Sequence, residues 1–189
     1  MFTDHFDNYV CEGETITCVK DGFTVVARIE HDYDTGPPWK EHDGHGPVSD
    51  WRPKESKRPG EKILVERRVG SCRFYDWQKA IEIAKADGWD APPYGEGTKG
   101  EQAERAVQRD FDGLKAWCDD DWWWCSIILS VSRNGFEIED YAACCGGIKV
   151  NHPENENNNH LTETANELLD EAIECAKKRA GEICKALTE

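Results

Sequence analysis

No stretch of the chain approaches eighteen consecutive apolar residues, so the sequence offers no membrane-spanning helix. The opening segment Met1-Phe2-Thr3-Asp4-His5-Phe6-Asp7 has neither a basic region nor an apolar run and does not read as an export signal. CxxC pairs are missing too, although the chain holds nine cysteines. An odd number of thiols in a chain of 189 residues without an export signal argues against a disulfide framework. Their spacings, Cys11 to Cys18, Cys118 to Cys125 and Cys175 to Cys184, do not match a structural zinc site. They read as reduced thiols packing as small apolar residues, which places the protein in a reducing, cytoplasmic compartment. The sequence also lacks GxSxG, Walker A, GxGxxG and HExxH, so the nucleophile-elbow, nucleotide, dinucleotide and zinc-protease readings have no anchor.

Positive charge is scarce: 23 Lys and Arg stand against 38 Asp and Glu, a net charge of -15. Most of such a surface repels a phosphate backbone, so direct nucleic-acid binding is not expected unless the basic stretch from Arg52 to Arg73 acts alone. A partner with a basic surface is expected instead, or mimicry of a polyanion, beside the plain reading that the charge serves solubility. At 38% hydrophobic and 32% charged residues, the composition is that of a globular chain.

The length predicts one domain with a sizeable core. Asp21-Gly22 between Thr15–Lys20 and Phe23–Glu30 predicts a two-residue hairpin, because both turn positions tolerate positive φ. Asn134-Gly135 predicts a second hairpin, between a long strand from Trp122 to Arg133 and a return strand from Phe136 to Tyr141. A short strand is expected over Lys62–Glu66. Asp76 is placed to cap a helix from Trp77 to about Asp87, with Trp77, Ala80, Ile81 and Ala84 on one stripe. Thr98 and Glu101 have capping-box spacing for a helix running to about Cys118. A last helix starts near Thr162 or Thr164, and its apolar stripe runs from Ala165 to Leu187. Residues 31–60 and 151–160 read as long loops. The expected fold is α+β: an antiparallel sheet built from two β-hairpins plus a short strand, packed against about three helices.

Several stretches carry a family resemblance. Asp4-His5-Phe6-Asp7, the Asp21-Gly22 hairpin, the strand and turn from Ile128 to Gly135 and the run Leu161-Thr162-Glu163-Thr164-Ala165-Asn166-Glu167-Leu168-Leu169 resemble an uncharacterised family of small acidic proteins. Its members are encoded by tailed phages and prophages. His42-Asp43-Gly44-His45-Gly46-Pro47-Val48-Ser49, with Trp51 and Pro59-Gly60-Glu61 behind it, carries the same likeness. Residues 36–116 look like an insertion absent from shorter relatives, and Gly146-Gly147-Ile148 stands where those relatives have Trp-Gly-Ile. The resemblance implies a phage setting in a bacterial host cell and transfers no activity.

Two sets of residues stand out as candidate sites. His31, Asp32 and Asp34, followed by His42, Asp43 and His45, bring imidazoles and carboxylates together on a Gly/Pro-rich segment, as a divalent metal requires. Such a metal would activate water for hydrolysis, while the plain reading is a solvated loop. Cys144-Cys145-Gly146-Gly147, expected to follow a strand, offers a weaker nucleophile reading beside simple packing. Trp39, Trp51 and Trp89 fall in predicted loops, and Asp119-Asp120-Asp121 immediately precedes Trp122-Trp123-Trp124. Aromatic residues beside carboxylates make good anchors for a protein partner.

Three roles follow. The first is a phage accessory protein that inhibits a host protein, for example a defence nuclease, as an anti-CRISPR or anti-restriction factor does. The others are a non-inhibitory interaction module and a small metal-dependent hydrolase.

Overall fold

Asp21 and Gly22 both take positive φ (53° and 78°), as do Asn134 and Gly135 (51° and 81°), so both expected hairpin turns form. In the computed structural model, which describes residues 1–188, these turns join β1 (Thr15–Lys20) to β2 (Phe23–His31) and β6 (Trp123–Arg133) to β7 (Phe136–Val150). β2 and β6 also pair, giving a fully antiparallel sheet in the order β1-β2-β6-β7. The remaining strands, β3 (Arg52–Pro53), β4 (Glu61–Glu66) and β5 (Ser71–Asp76), form a second antiparallel sheet in the order β3-β5-β4. The helices are α1 (Pro38–Glu41), α2 (Trp77–Asp87), α3 (Lys99–Cys118) and α4 (Asn159–Thr188). The fold is α+β with antiparallel sheets. The short strand expected at Lys62–Glu66 does not join the hairpins; it pairs with β5, which the sequence reading had not foreseen.

These elements divide into two compact units. Unit 1 holds Met1–Thr35 and the residues from Trp122 onward; unit 2 holds Gly36–Asp121, which covers the stretch read from sequence as an insertion. Length alone predicts a single domain. Unit 2 interrupts unit 1 between β2 and β6, whose joined ends are direct neighbours. His31 pairs with Cys125, and the Asp32 N–H donates to the Trp124 carbonyl at 2.9 Å.

The core of unit 1 follows from strand and helix periodicity. Val25, Ala27 and Ile29 of β2 and Cys125, Ile127, Leu129 and Val131 of β6 point to one face. Against that face α4 lays Leu161, Ala165, Leu169, Ala172, Ile173 and Ala176, the expected 3.6-residue stripe. The irregular N-terminal segment contributes Phe2, Phe6 and Val10 to the same core. Asn166, Thr162 and Asn151 fasten it, each accepting one of these three backbone N–H groups.

Two expectations for unit 1 need correction. The apolar stripe of α4 stops contributing to the core after Ala176: Ala180 and Ile183 are only half-buried, and Leu187 is 81% exposed. Cys144-Cys145-Gly146-Gly147 does not follow a strand but lies inside β7, which continues nine residues past its expected end at Tyr141. Ser126 of β6 faces two residues there, because Cys125 pairs with Ile148 while Ile127 pairs with Cys145. Gly147 takes φ 70° in this bulge. The bulge shifts the register by one residue and pairing resumes beyond it, so one continuous strand forms.

Unit 2 is built on Leu64, Tyr75, Ala80, Ala84, Ala103, Val107 and Leu114, with Trp77, Ile81 and Phe111 packed around them. Both helix starts form as expected. The Asp76 side chain accepts the Lys79 N–H at 2.9 Å, and Thr98 and Glu101 make a reciprocal capping box. The presumed loop 31–60 contains α1, β3 and a 3₁₀ turn at Lys54–Ser56, none of which has enough periodicity to be read from sequence.

Candidate functional site

The six His and Asp residues proposed as metal ligands fall into two sets, one in each unit. His31 closes β2 and is stacked between Tyr33 (4.4 Å) and Trp123 (5.0 Å), with its Nδ1 buried and without a hydrogen bond among the described residues. Asp32 is occupied by its own chain. It accepts the Asp34 and Thr35 N–H groups, the Thr35 hydroxyl and the Gly147 N–H, the last at 2.7 Å. Burial alone would raise the Asp32 carboxyl, but these donors outweigh it and hold its pKa below the usual carboxylate range. The same carboxylate explains the local sequence, since a Cβ at Gly146 would stand 2.7 Å from Asp32 Oδ2. Asp34 is exposed.

In unit 2, His42 and Asp43 are exposed, while His45 Nδ1 meets Asp110 Oδ1 at 2.5 Å. Asp110 Oδ2 accepts the Gly46 N–H at 2.8 Å and the Tyr75 hydroxyl at 2.6 Å. Burial, with the Asp110 charge beside it, drives the Tyr75 hydroxyl far above its ordinary pKa. A Cβ at Gly46 would collide with the Tyr75 ring and hydroxyl, so glycine is required by close approach. The conspicuous His-Gly-Pro motif thus anchors a buried polar network. Among the described residues, no group of three or more His, Cys, Asp or Glu side chains is placed to hold a metal ion.

The aromatic candidates behave differently. Trp89 is half-buried and packs against the unit 2 core. Trp39 and Trp51 come together with Trp117, Arg67 and Arg73 around a cavity of about 260 Å³, completed by Pro37, Val65 and Cys118. Trp39 and Trp117 meet edge to face at 5.4 Å. The Arg67 guanidinium lies 3.8 Å from the Trp51 ring centroid, and Arg73 lies 4.9 Å from Trp51 and 5.6 Å from Trp39. Arg73 is partly satisfied by the Ser49 carbonyl at 2.8 Å and by Asp50 at 3.7 Å. Arg67 is exposed and has no ion pair among the described residues. The Trp39 indole N–H is buried and has no hydrogen-bond partner among the described residues. Such an orphan donor costs about 1–3 kcal/mol. Burial first, and then Asp119, pushes the Cys118 thiol up to about 11, so this wall of the cavity is neutral at pH 7.

Sequence reasoning named Trp39 and Trp51 but missed Trp117, Arg67 and Arg73. Trp117 falls inside a predicted helix and the arginines fall in a basic stretch, so none of the three stands out locally as part of a site. Asp119, Asp120 and Asp121 are all exposed at the C-terminal end of α3, where Asp119 pairs with Lys115 at 2.7 Å.

Acidic charge is concentrated in unit 1. Residues 1–35 and 122–189 hold 8 Lys and Arg against 20 Asp and Glu, whereas residues 36–121 hold 15 against 18. On α4, Glu163, Glu167, Asp170, Glu171 and Glu174 are exposed and follow helical spacing along one face. Lys20 of β1 pairs with Asp170; no ion pair among the described residues involves the other four. Comparison with protein-family models, with curated proteins and with solved structures returns no match. No described helix is long and apolar enough to cross a membrane.

Proposed function

We propose that this chain is a phage-encoded accessory protein that acts in the host cytoplasm by docking its acidic face on a basic host protein and inhibiting it. The acidic stripe of α4 is the observation that supports this reading. Like charges at i,i+3 and i,i+4 destabilise a helix by a few tenths of a kcal/mol per pair. Glu163/Glu167, Glu167/Glu171 and Glu171/Glu174 are such pairs, so folding gains nothing from placing them there. Recognition does gain, because a dense line of carboxylates raises the encounter rate with a basic surface and selects against acidic ones. Five carboxylates between Glu163 and Glu174 span roughly 16 Å of helix axis, while five phosphates of one DNA strand span roughly 14 Å. Similar charge density supports mimicry of a nucleic-acid strand, with a DNA- or RNA-cleaving defence enzyme as the natural target class.

The test is affinity capture of the tagged protein from a bacterial host at low and high salt. It is run beside a variant carrying Glu163→Gln, Glu167→Gln, Glu171→Gln and Glu174→Gln. A stoichiometric partner that is lost at high salt, absent with the variant and inactive when bound is the expected result. A partner captured equally by both proteins removes the acidic stripe from the interface. A partner that stays active when bound makes the chain an interaction module without inhibitory action.

A further inference from the structure

The cavity of unit 2 has a chemistry opposite to that of the acidic stripe of unit 1. We infer that this cavity is a binding site for a nucleoside phosphate, with the base held among the indoles of Trp39, Trp51 and Trp117 and the phosphate held by Arg67. At about 260 Å³ the cavity falls just under the roughly 300–1,000 Å³ of sites for drug-sized ligands, so it suits one planar ring system rather than a length of peptide. Three indoles offer the apolar, polarisable walls on which any base stacks. The Trp39 N–H, buried and without an acceptor among the described residues, would be satisfied by a ring nitrogen or carbonyl of a base.

The charge distribution fits the same ligand. Among the described residues Arg67 has no carboxylate partner, and its guanidinium is held against Trp51 at 3.8 Å, leaving its donors available to a phosphate. It begins the turn between β4 and β5, with Arg68 next to it and also exposed. Of the nearby carboxylates, Asp119 is engaged by Lys115, Glu66 by Lys54, and Asp50 by Arg73 at the longer distance of 3.7 Å, while Asp120 is exposed to solvent. The basic stretch Arg52–Arg73, the one part of the sequence exempted from phosphate repulsion, is therefore the part that builds this wall.

The experiment is calorimetric titration of the full-length protein with AMP and with adenosine, followed by anisotropy with a labelled twelve-nucleotide dA strand. AMP is expected to bind more tightly than adenosine. Arg67→Gln, an exposed substitution at a turn, should weaken AMP about tenfold and leave adenosine unchanged. Trp51→Leu should weaken both ligands by a similar factor, with circular dichroism unchanged. A dA strand that binds far more tightly than AMP assigns the site to single-stranded nucleic acid; equal affinity assigns it to a free nucleotide. Absence of AMP binding at millimolar concentration would overturn the inference. So would an Arg67→Gln variant that binds AMP like the wild type, or competition by a Glu/Tyr peptide at the concentrations effective for AMP.

Discussion

Asp32 shows how one side chain can look catalytic in the sequence and serve the backbone in the structure. It binds four donors, including the Gly147 N–H on the bulge of β7, 115 residues away in the chain. Replacing it with alanine leaves the Gly147 N–H and the Thr35 turn without their acceptor, so Asp32→Ala is expected to cost about 1–3 kcal/mol in urea denaturation at pH 7. The pH dependence follows from the lowered folded-state pKa. The contribution is fully present above the ordinary carboxyl pKa of 3.8 and disappears as pH falls through the lower folded value. The stability gap between wild type and Asp32→Ala should therefore be constant from pH 5 to 7 and close below pH 4. A gap that did not narrow at all as the pH fell below 4 would show that the hydrogen bonds do not depend on ionisation. His45, the other conspicuous candidate, was paired by the fold with Asp110, a residue with no distinguishing signal in its own sequence context.

At the scale of elements, α4 combines two roles along its length. Its apolar stripe packs on the sheet as far as Ala176, and the alanines at 165, 172 and 176 let the helix approach closely. Beyond that point the described side chains are half-buried or exposed. Leu169→Ala should thus destabilise by about 2–5 kcal/mol, while removal of residues 181–189 should change stability by less than about 1 kcal/mol in the same denaturation measurement. A large loss from the truncation would mean that the end of the helix contributes to folding despite its exposure. Helix periodicity was legible in the sequence, but the point at which a helix runs beyond its core depends on the length of the sheet beneath it. The sheet is built from strands that are distant in the chain. β5 was missed for a related reason. Ser71–Asp76 has no clean alternation to stand out, and it becomes a strand because β3 and β4 flank it.

The whole chain is organised as one α+β unit interrupted by another. His31 and Cys125 are paired neighbours, so the ends of β2 and β6 need only a short turn between them. Replacing residues 36–121 with a two- or three-residue glycine linker should therefore leave unit 1 cooperatively folded, with one thermal transition and its near-ultraviolet signal from Trp122 and Trp124 retained. Loss of cooperative unfolding would show that unit 2 is needed to form the β2–β6 pair. The same variant separates the two proposed surfaces, since it keeps the acidic stripe of α4 and lacks the Trp/Arg cavity.

The sequence by itself determined what depends on neighbours in the chain. The two positive-φ turns, the caps at Asp76 and Thr98, the stripe of α2 and the inner half of α4 follow from spacings of two to four residues, where local sterics and hydrogen bonding decide the outcome. It also determined the excess of negative charge. Only the tertiary structure decided which residues meet. Asp32 reaches Gly147, His45 reaches Asp110, and Trp39, Trp51 and Trp117 close around a cavity beside Arg67, across separations that no periodicity encodes. Those meetings depend on which strands pair and which faces pack. That choice is made by the burial of the whole apolar surface at once, and so it cannot be read one segment at a time.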